Sequence, residues 1–206
     1  LMIADNEPRP TMKFVISYEK TAREIFLGKT TGNSIISYDI NKALDYSSDL
    51  TGTVLNTNHL YQSFNILSAE GESLVLPVVR NVMNDKEKAT EIYGVACFKG
   101  SKLIGFLKPE DTRSFLFATD GLNRGILNER TTGSKYDVTL KIKQSKSTVT
   151  PVYQAGKITM EIHIKTDVSL DEVDVSANYS NQEGREKLQS SAQQALQEKG
   201  TAVVTK

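Results

Sequence analysis

An α+β fold, multi-domain, with mixed and antiparallel sheets packed against helices, is the class that this 206-residue sequence predicts. Three patterns predict it. Segments with helical apolar spacing alternate with short β-branched runs through the N-terminal part. Gly100-Ser101 sits between two strand-like runs, and a helix start follows at once. The stretches 138–143 and 158–165 alternate apolar and polar residues at period two, the mark of a half-buried antiparallel sheet.

The elements follow in order. Residues 5–11 (DNEPRPT) are turn-rich and extended, and residues 12–18 (MKFVISY) alternate as a strand. Residues 19–27 place Ala22, Ile25 and Phe26 on one side of a short helix that Gly28 stops. Residues 34–50 form a second helix on Ile36, Ile40, Ala43 and Leu44. A third opens at Thr57, whose hydroxyl can accept an orphan backbone N–H, with Leu60, Phe64 and Leu67 inward and Gly71 at its end. Residues 73–79 (SLVLPVV) are a strand in which Pro77, lacking an N–H, calls for an edge or a bulge.

Residues 84–90 (NDKEKAT) are polar without apolar period and mark a boundary. The hairpin then turns at Gly100-Ser101, whose first residue takes positive φ. Pro109 opens a helix where its missing N–H costs nothing, and Glu110 and Asp111 complement the helix N-terminus. Residues 131–135 (TTGSK) mark a second boundary. Val138, Leu140 and Ile142, then Ile158, Met160, Ile162 and Ile164, form the dry face of a sheet with Ala155-Gly156 as the turn. Ser180 to Glu183 is a capping box that opens a helix to Lys199, closed by Gly200, with a thin stripe of Leu188, Ala192, Ala195 and Leu196. Residues 201–205 begin a strand. The resulting domains are 1–87, 88–134 (hairpin plus helix) and 135–206 (antiparallel sheet plus long helix).

Composition narrows the function classes. Lys plus Arg and Asp plus Glu are each 25, so no global basic charge favours nucleic acid. There is no Trp, and eight Tyr and seven Phe are scattered, which argues against stacking platforms for bases or sugars. The one cysteine, Cys97, excludes an intramolecular disulfide and a thiolate zinc site. No apolar run approaches the roughly 18 residues of a membrane-spanning helix.

Each candidate site has a plainer structural reading. Gly28-Lys29-Thr30 resembles the tail of a phosphate loop, but Arg23 stands where the motif needs its first Gly. Cys97 has no local cation or histidine to make it a nucleophile and reads as packing. His59 lies on a helix and His163 on the wet side of a strand; neither has a ligand partner at useful spacing. Asp167, Asp171, Glu172 and Asp174 lack the glycine and alternate oxygen ligands of a hard-cation loop, and read as a solvated loop. Asn178-Tyr179-Ser180 matches a glycosylation acceptor formally, while Ser180 serves better as a helix cap. No catalytic residue, cofactor-binding residue or metal ligand is assigned, and no cofactor is implied.

One stretch carries family character. Gly94-x-Ala96-x-Phe98-Lys99, Lys102-Leu103-x-Gly105-x-Leu107 and Glu110-x-Thr112-Arg113 together resemble the C-subunit family of the spore germinant receptors, the Ger(x)C-type spore germination lipoproteins. Asp5 to Arg9 resembles the family's acidic-Pro-Arg turn, Phe14 to Tyr18 with Thr21 to Ile25 its strand and helix, and Val75-Leu76-Pro77 the end of its next segment. The later strands and helix fall in family order, so the resemblance covers nearly the whole chain.

The resemblance implies a non-enzymatic protein of the spore inner membrane, held on its outer face by a lipid. It implies integral-membrane A and B subunits as partners, in a receptor for nutrients such as amino acids or sugars. It also implies a lipoprotein signal and a lipid-anchor Cys outside this chain, with more sequence after residue 206. Residues 1–87 are then the remainder of an N-terminal α+β domain. A scaffold or relay role fits a mixed-charge surface without a convergent polar pocket. The tip at Lys99 to Lys102 and the wet strand face over 137–165 are the candidate partner surfaces. The alternative is an extracytoplasmic small-molecule module that binds an amino acid or sugar directly; a hydrolase, with His59 or His163 as base, is the third reading.

Overall fold

The computed structural model describes residues 12–19, 21–27, 35–55, 59–84, 87–122, 124–129, 138–172, 179 and 181–204. The fold is α+β. The chain divides into two compact units, Leu1–Ser48 with Thr53–Thr112, and Asp49–Gly52 with Arg113–Lys206.

The first unit is built on a four-stranded mixed sheet in the order β1-β2-β3-β4. Its strands are β1 (Ile16–Ser17), β2 (Val75–Asn84), β3 (Glu87–Lys99) and β4 (Lys102–Leu107). β1 runs parallel to β2 and the other pairs are antiparallel. Three helices accompany it: α1 (Ala22–Phe26), α2 (Ile36–Tyr46) and α3 (Leu60–Ser68). Ile25 from α1, Ile40 and Leu44 from α2, Val54 and Val79 form one buried cluster, with Val15, Ile36 and Ile92 packed against it.

Several elements differ from expectation here. The strand over 12–18 contracts to Ile16–Ser17, because only Val78 and Val79 pair with it. Lys13 makes an isolated bridge to His59 instead. In α1 only Ile25 is buried; Phe26 stays 59% exposed. Residues 5–11, Gly28 and Thr57 lie outside the described residues. The N-cap of α3 is His59, whose backbone N–H donates to Gln62 Oε1 at 3.3 Å. α3 turns Leu60 and Ser63 inward and leaves Phe64 and Leu67 exposed. Ser63 tolerates burial because its hydroxyl donates to the His59 carbonyl at 3.3 Å, which satisfies it locally.

Pro77 is paired with Val95, outside the short stretch that β1 covers, and a bulge follows it between Val78 and Val79. The β2–β3 ladder runs out to Asn84 and Glu87, and Asp85 and Lys86 lie outside the described residues. β3 and β4 close on Lys99 and Lys102, and Gly100 takes φ +56 in the two-residue loop.

The helix α4 (Pro109–Ala118) begins in the first unit and ends in the second. The second unit has a three-stranded antiparallel sheet in the order β5-β6-β7, with β5 (Gly125–Glu129), β6 (Val138–Gln154), β7 (Lys157–Glu172) and the helix α5 (Gln182–Val204). Val138, Leu140 and Ile142 are almost fully buried, as their alternation requires. The same face does not stay dry: Ile158, Met160 and Ile164 are 67, 54 and 38% exposed. The physical reason is the length of the cover. β5 pairs only with Val138 to Ile142, and α5 packs against β5.

Asp167 and Asp171 lie on β7, which runs on to Glu172 where a loop was expected. Asp174, Asn178 and Ser180 lie outside the described residues. α5 is capped by Asn181, whose side-chain oxygen accepts the Gly184 N–H at 2.8 Å. It continues through Gly200 to Val204 rather than stopping. A mid-helix glycine costs about 0.5–1 kcal/mol, and burying a valine returns about 1.5–3 kcal/mol, so the burial of Val203 extends the helix. Among the described residues no helix is long and apolar enough to cross a membrane.

The β6–β7 turn places Ala155 at φ +49 and Gly156 at φ +82. Left-handed backbone costs an alanine about 1 kcal/mol, while asparagine visits it readily. Ala155→Asn is therefore expected to raise stability by about 0.5–1 kcal/mol, measured by urea unfolding. An unchanged or lower midpoint would contradict strain at this turn.

Candidate interaction surface

The first unit gathers aromatic side chains that are far apart in sequence. The Tyr18 ring lies 4.6 Å from that of Tyr93, centroid to centroid and tilted by 48°. It meets Phe106 edge-on at 5.2 Å. The Arg80 guanidinium stands over the Tyr93 ring at 4.4 Å, and its Nε pairs with Glu91 Oε1 at 2.5 Å. Arg80 and Glu91 face each other across the β2–β3 ladder, which fixes the pair. Tyr18 is 46% and Phe106 38% exposed.

Each part has a local cause. The Tyr18 N–H donates to the Val79 carbonyl at 2.9 Å, so the chain leaving β1 stays on the sheet. Phe106 sits opposite Ala96, whose small side chain leaves room for a large ring. Leu103 and Ile104, on the same strand as Phe106, are also exposed. The result is an apolar, ring-rich surface with one guanidinium held in place by its carboxylate. Tyr, Phe and Arg are the residues enriched where proteins bind each other, because they bury much area per ordered rotamer and still offer polar tips.

The reading of the aromatic residues as scattered is corrected here. Three of them converge because β1, β3 and β4 belong to one sheet. A strand-pairing register, which the sequence alone does not contain, is the signal that was missing.

The residues singled out from sequence are not brought together into a reaction centre. Cys97 sits half-buried on β3, between Val75 of β2 and Gly105 of β4. Burial pushes its thiol above the ordinary cysteine range, the opposite of what a nucleophilic thiolate needs. His59 caps α3 and stacks on Tyr61 at 6.0 Å. His163 is exposed on β7, with its Nε2 3.7 Å from Glu161 Oε2. Among the described residues no hydrogen bond joins Cys97 to either histidine, and no three His, Cys, Asp or Glu side chains cluster. Gly28 to Thr30 lie outside the described residues. The hairpin tip, Lys99 to Lys102, is exposed throughout, beside the exposed Leu103 and Ile104.

Known proteins resemble this chain at three levels. Residues 93–206 match the family described as "Spore germination B3/ GerAC like, C-terminal". The chain is 29% identical over 102 residues to "Spore germination protein B3" of Bacillus subtilis (strain 168), a match that covers 49% of this chain and 26% of that protein. In fold it is similar to the crystal structure of the GerBC protein, with a TM-score of 0.55 at 20% identity, covering 98% of this chain and 65% of that one. The chain thus spans about a quarter of the curated relative and under two thirds of the solved one. The family match begins at Tyr93, on the strand that carries this aromatic surface, and takes in more than half the sequence; the chain belongs to the spore germination B3/GerAC-like family, that of the spore germinant receptor C subunits.

Proposed function

We propose that this chain acts as a non-enzymatic scaffold or relay in a spore nutrient-germinant receptor. In this reading it stands on the outer face of the spore inner membrane and docks onto the integral-membrane A and B subunits. A lipid on a cysteine other than Cys97 would hold it there, since Cys97 is committed to β3. The observation that carries the reading is the surface on which the exposed Tyr18 and Phe106 meet the half-buried Tyr93 and Arg80, together with family membership. Such a surface is suited to binding a protein: a pre-ordered guanidinium and open rings lose little entropy on docking.

A subunit that relays without holding the nutrient gains no stability from it. A ligand that binds the folded state at a hundred times its Kd would add about 2.7 kcal/mol by mass action. Melting curves with millimolar amino acids and sugars are accordingly expected to superimpose on the ligand-free curve. A reproducible, saturable rise in midpoint with one of them would replace the scaffold by an extracytoplasmic amino acid or sugar binding module.

A further inference from the structure

α4 is ten residues long and is tied at each end to different strands. Its first turn belongs with β3 and β4. The fully buried Thr112 donates its hydroxyl to the Leu107 carbonyl at 3.2 Å and its N–H to the Lys108 carbonyl at 2.8 Å. A Cβ on Gly94 would lie 2.1 Å from the Leu107 oxygen, so β3 runs close against the same joint. Leu107 follows Phe106, a ring of the candidate interaction surface. The last turn belongs with β6. Asp120 accepts the Ser147 N–H at 2.6 Å, and the Ser147 hydroxyl donates to the Phe117 carbonyl. Leu116, Phe117 and Ala118 are buried there.

Between these ties the helix contains no glycine, and its one proline, Pro109, is its first residue, so nothing inside it serves as a hinge. A helix this short does not hold by itself in water, because its costly nucleus is offset by too few hydrogen bonds. α4 therefore depends on both ties, and release of one leaves the other on a frayed helix. We propose that α4 is the relay element of this protein: opening of the β4–α4 joint eases opening of the Asp120–Ser147 tie, and the reverse holds by the same factor. The purpose of such an element, a docking event at Phe106 felt at β6, rests on the relay reading given above. The coupling itself is a property of the chain alone and can fail while docking stands.

The test is native-state hydrogen exchange of the 206-residue chain, followed amide by amide by NMR. Thr112→Val is expected to speed exchange of the Ser147 N–H about threefold. Asp120→Ala should in turn speed exchange of the Thr112 N–H. Ile25→Val is the control: it trims the buried cluster of Ile25, Ile40, Leu44, Val54 and Val79 at a comparable cost and leaves α4 untouched. It should leave the Ser147 rate unchanged. A Ser147 rate unmoved by Thr112→Val would overturn the proposal. So would a rate raised equally by Ile25→Val, the result that unfolding of the whole chain at once gives. An effect in one direction only would overturn it as well, because coupling is reciprocal.

Discussion

Gly94→Ala is expected to destabilise the first unit by about 3–5 kcal/mol. Gly94 lies on β3 at φ +137, a conformation that side-chain-bearing residues rarely adopt. A Cβ there would sit 2.1 Å from the Leu107 carbonyl oxygen, 3.0 Å from Thr112 Oγ1 and 3.1 Å from the Lys108 carbonyl carbon. Two of these are backbone atoms at the joint where β4 passes into α4, and they have no rotamer with which to move aside. Thr112 fixes that joint from within. It is fully buried, its hydroxyl donates to the Leu107 carbonyl at 3.2 Å, and its N–H donates to the Lys108 carbonyl at 2.8 Å. Thr112→Val keeps the shape and loses one hydrogen bond, at a cost of about 1 kcal/mol. Urea unfolding of both variants checks the ranking; a Gly94→Ala loss below that of Thr112→Val would contradict the steric account.

Asp120→Ala is expected to cost the second unit about 2–3 kcal/mol. Asp120 follows the end of α4 at φ +58, where a helix stop favours glycine. The Gly121 N–H returns to the Leu116 carbonyl at 2.9 Å, closing the helix in a Schellman turn. Aspartate occupies the left-handed position because its carboxylate accepts the Ser147 N–H at 2.6 Å. The Ser147 hydroxyl in turn donates to the Phe117 carbonyl, so the end of α4 and the middle of β6 are tied by two bonds. Alanine keeps the backbone strain and leaves the Ser147 N–H without its acceptor. Asp120→Asn retains an acceptor and should lose under about 1 kcal/mol. Equal losses for the two variants would show that the bond to Ser147 does not hold the helix end.

These two sites mark the limits of sequence reading. Gly94 and Thr112 belong to the motif that carries the family resemblance, and the structure gives both a physical role: one leaves room at the β4–α4 joint and the other bonds it. The hairpin turn at Gly100-Ser101 and the helix start at Pro109 were legible because each is local chemistry within a few residues. Asp120 was not legible, since its partner Ser147 is 27 positions away. The aromatic surface of Tyr18, Tyr93 and Phe106 failed to stand out for the same reason. Alternation over 158–164 located a strand correctly but not its cover, because periodicity reports which residues share a face and not whether another layer lies upon it. The α5 boundary shows the converse: Gly200 is a sound local stop signal, overridden by the burial of Val203.

The central claim is that this protein works by docking its ring-rich surface onto membrane subunits. Co-isolation from detergent-solubilised spore membranes tests it most directly, with the unaltered protein compared to Phe106→Ser and Tyr18→Ala. Truncating a central interface residue typically costs about 2 kcal/mol or more, so recovery of the integral-membrane subunits should fall by about tenfold or more while the protein's own melting temperature changes little. Undiminished recovery with both variants, or no co-isolation with the unaltered protein, would contradict the account.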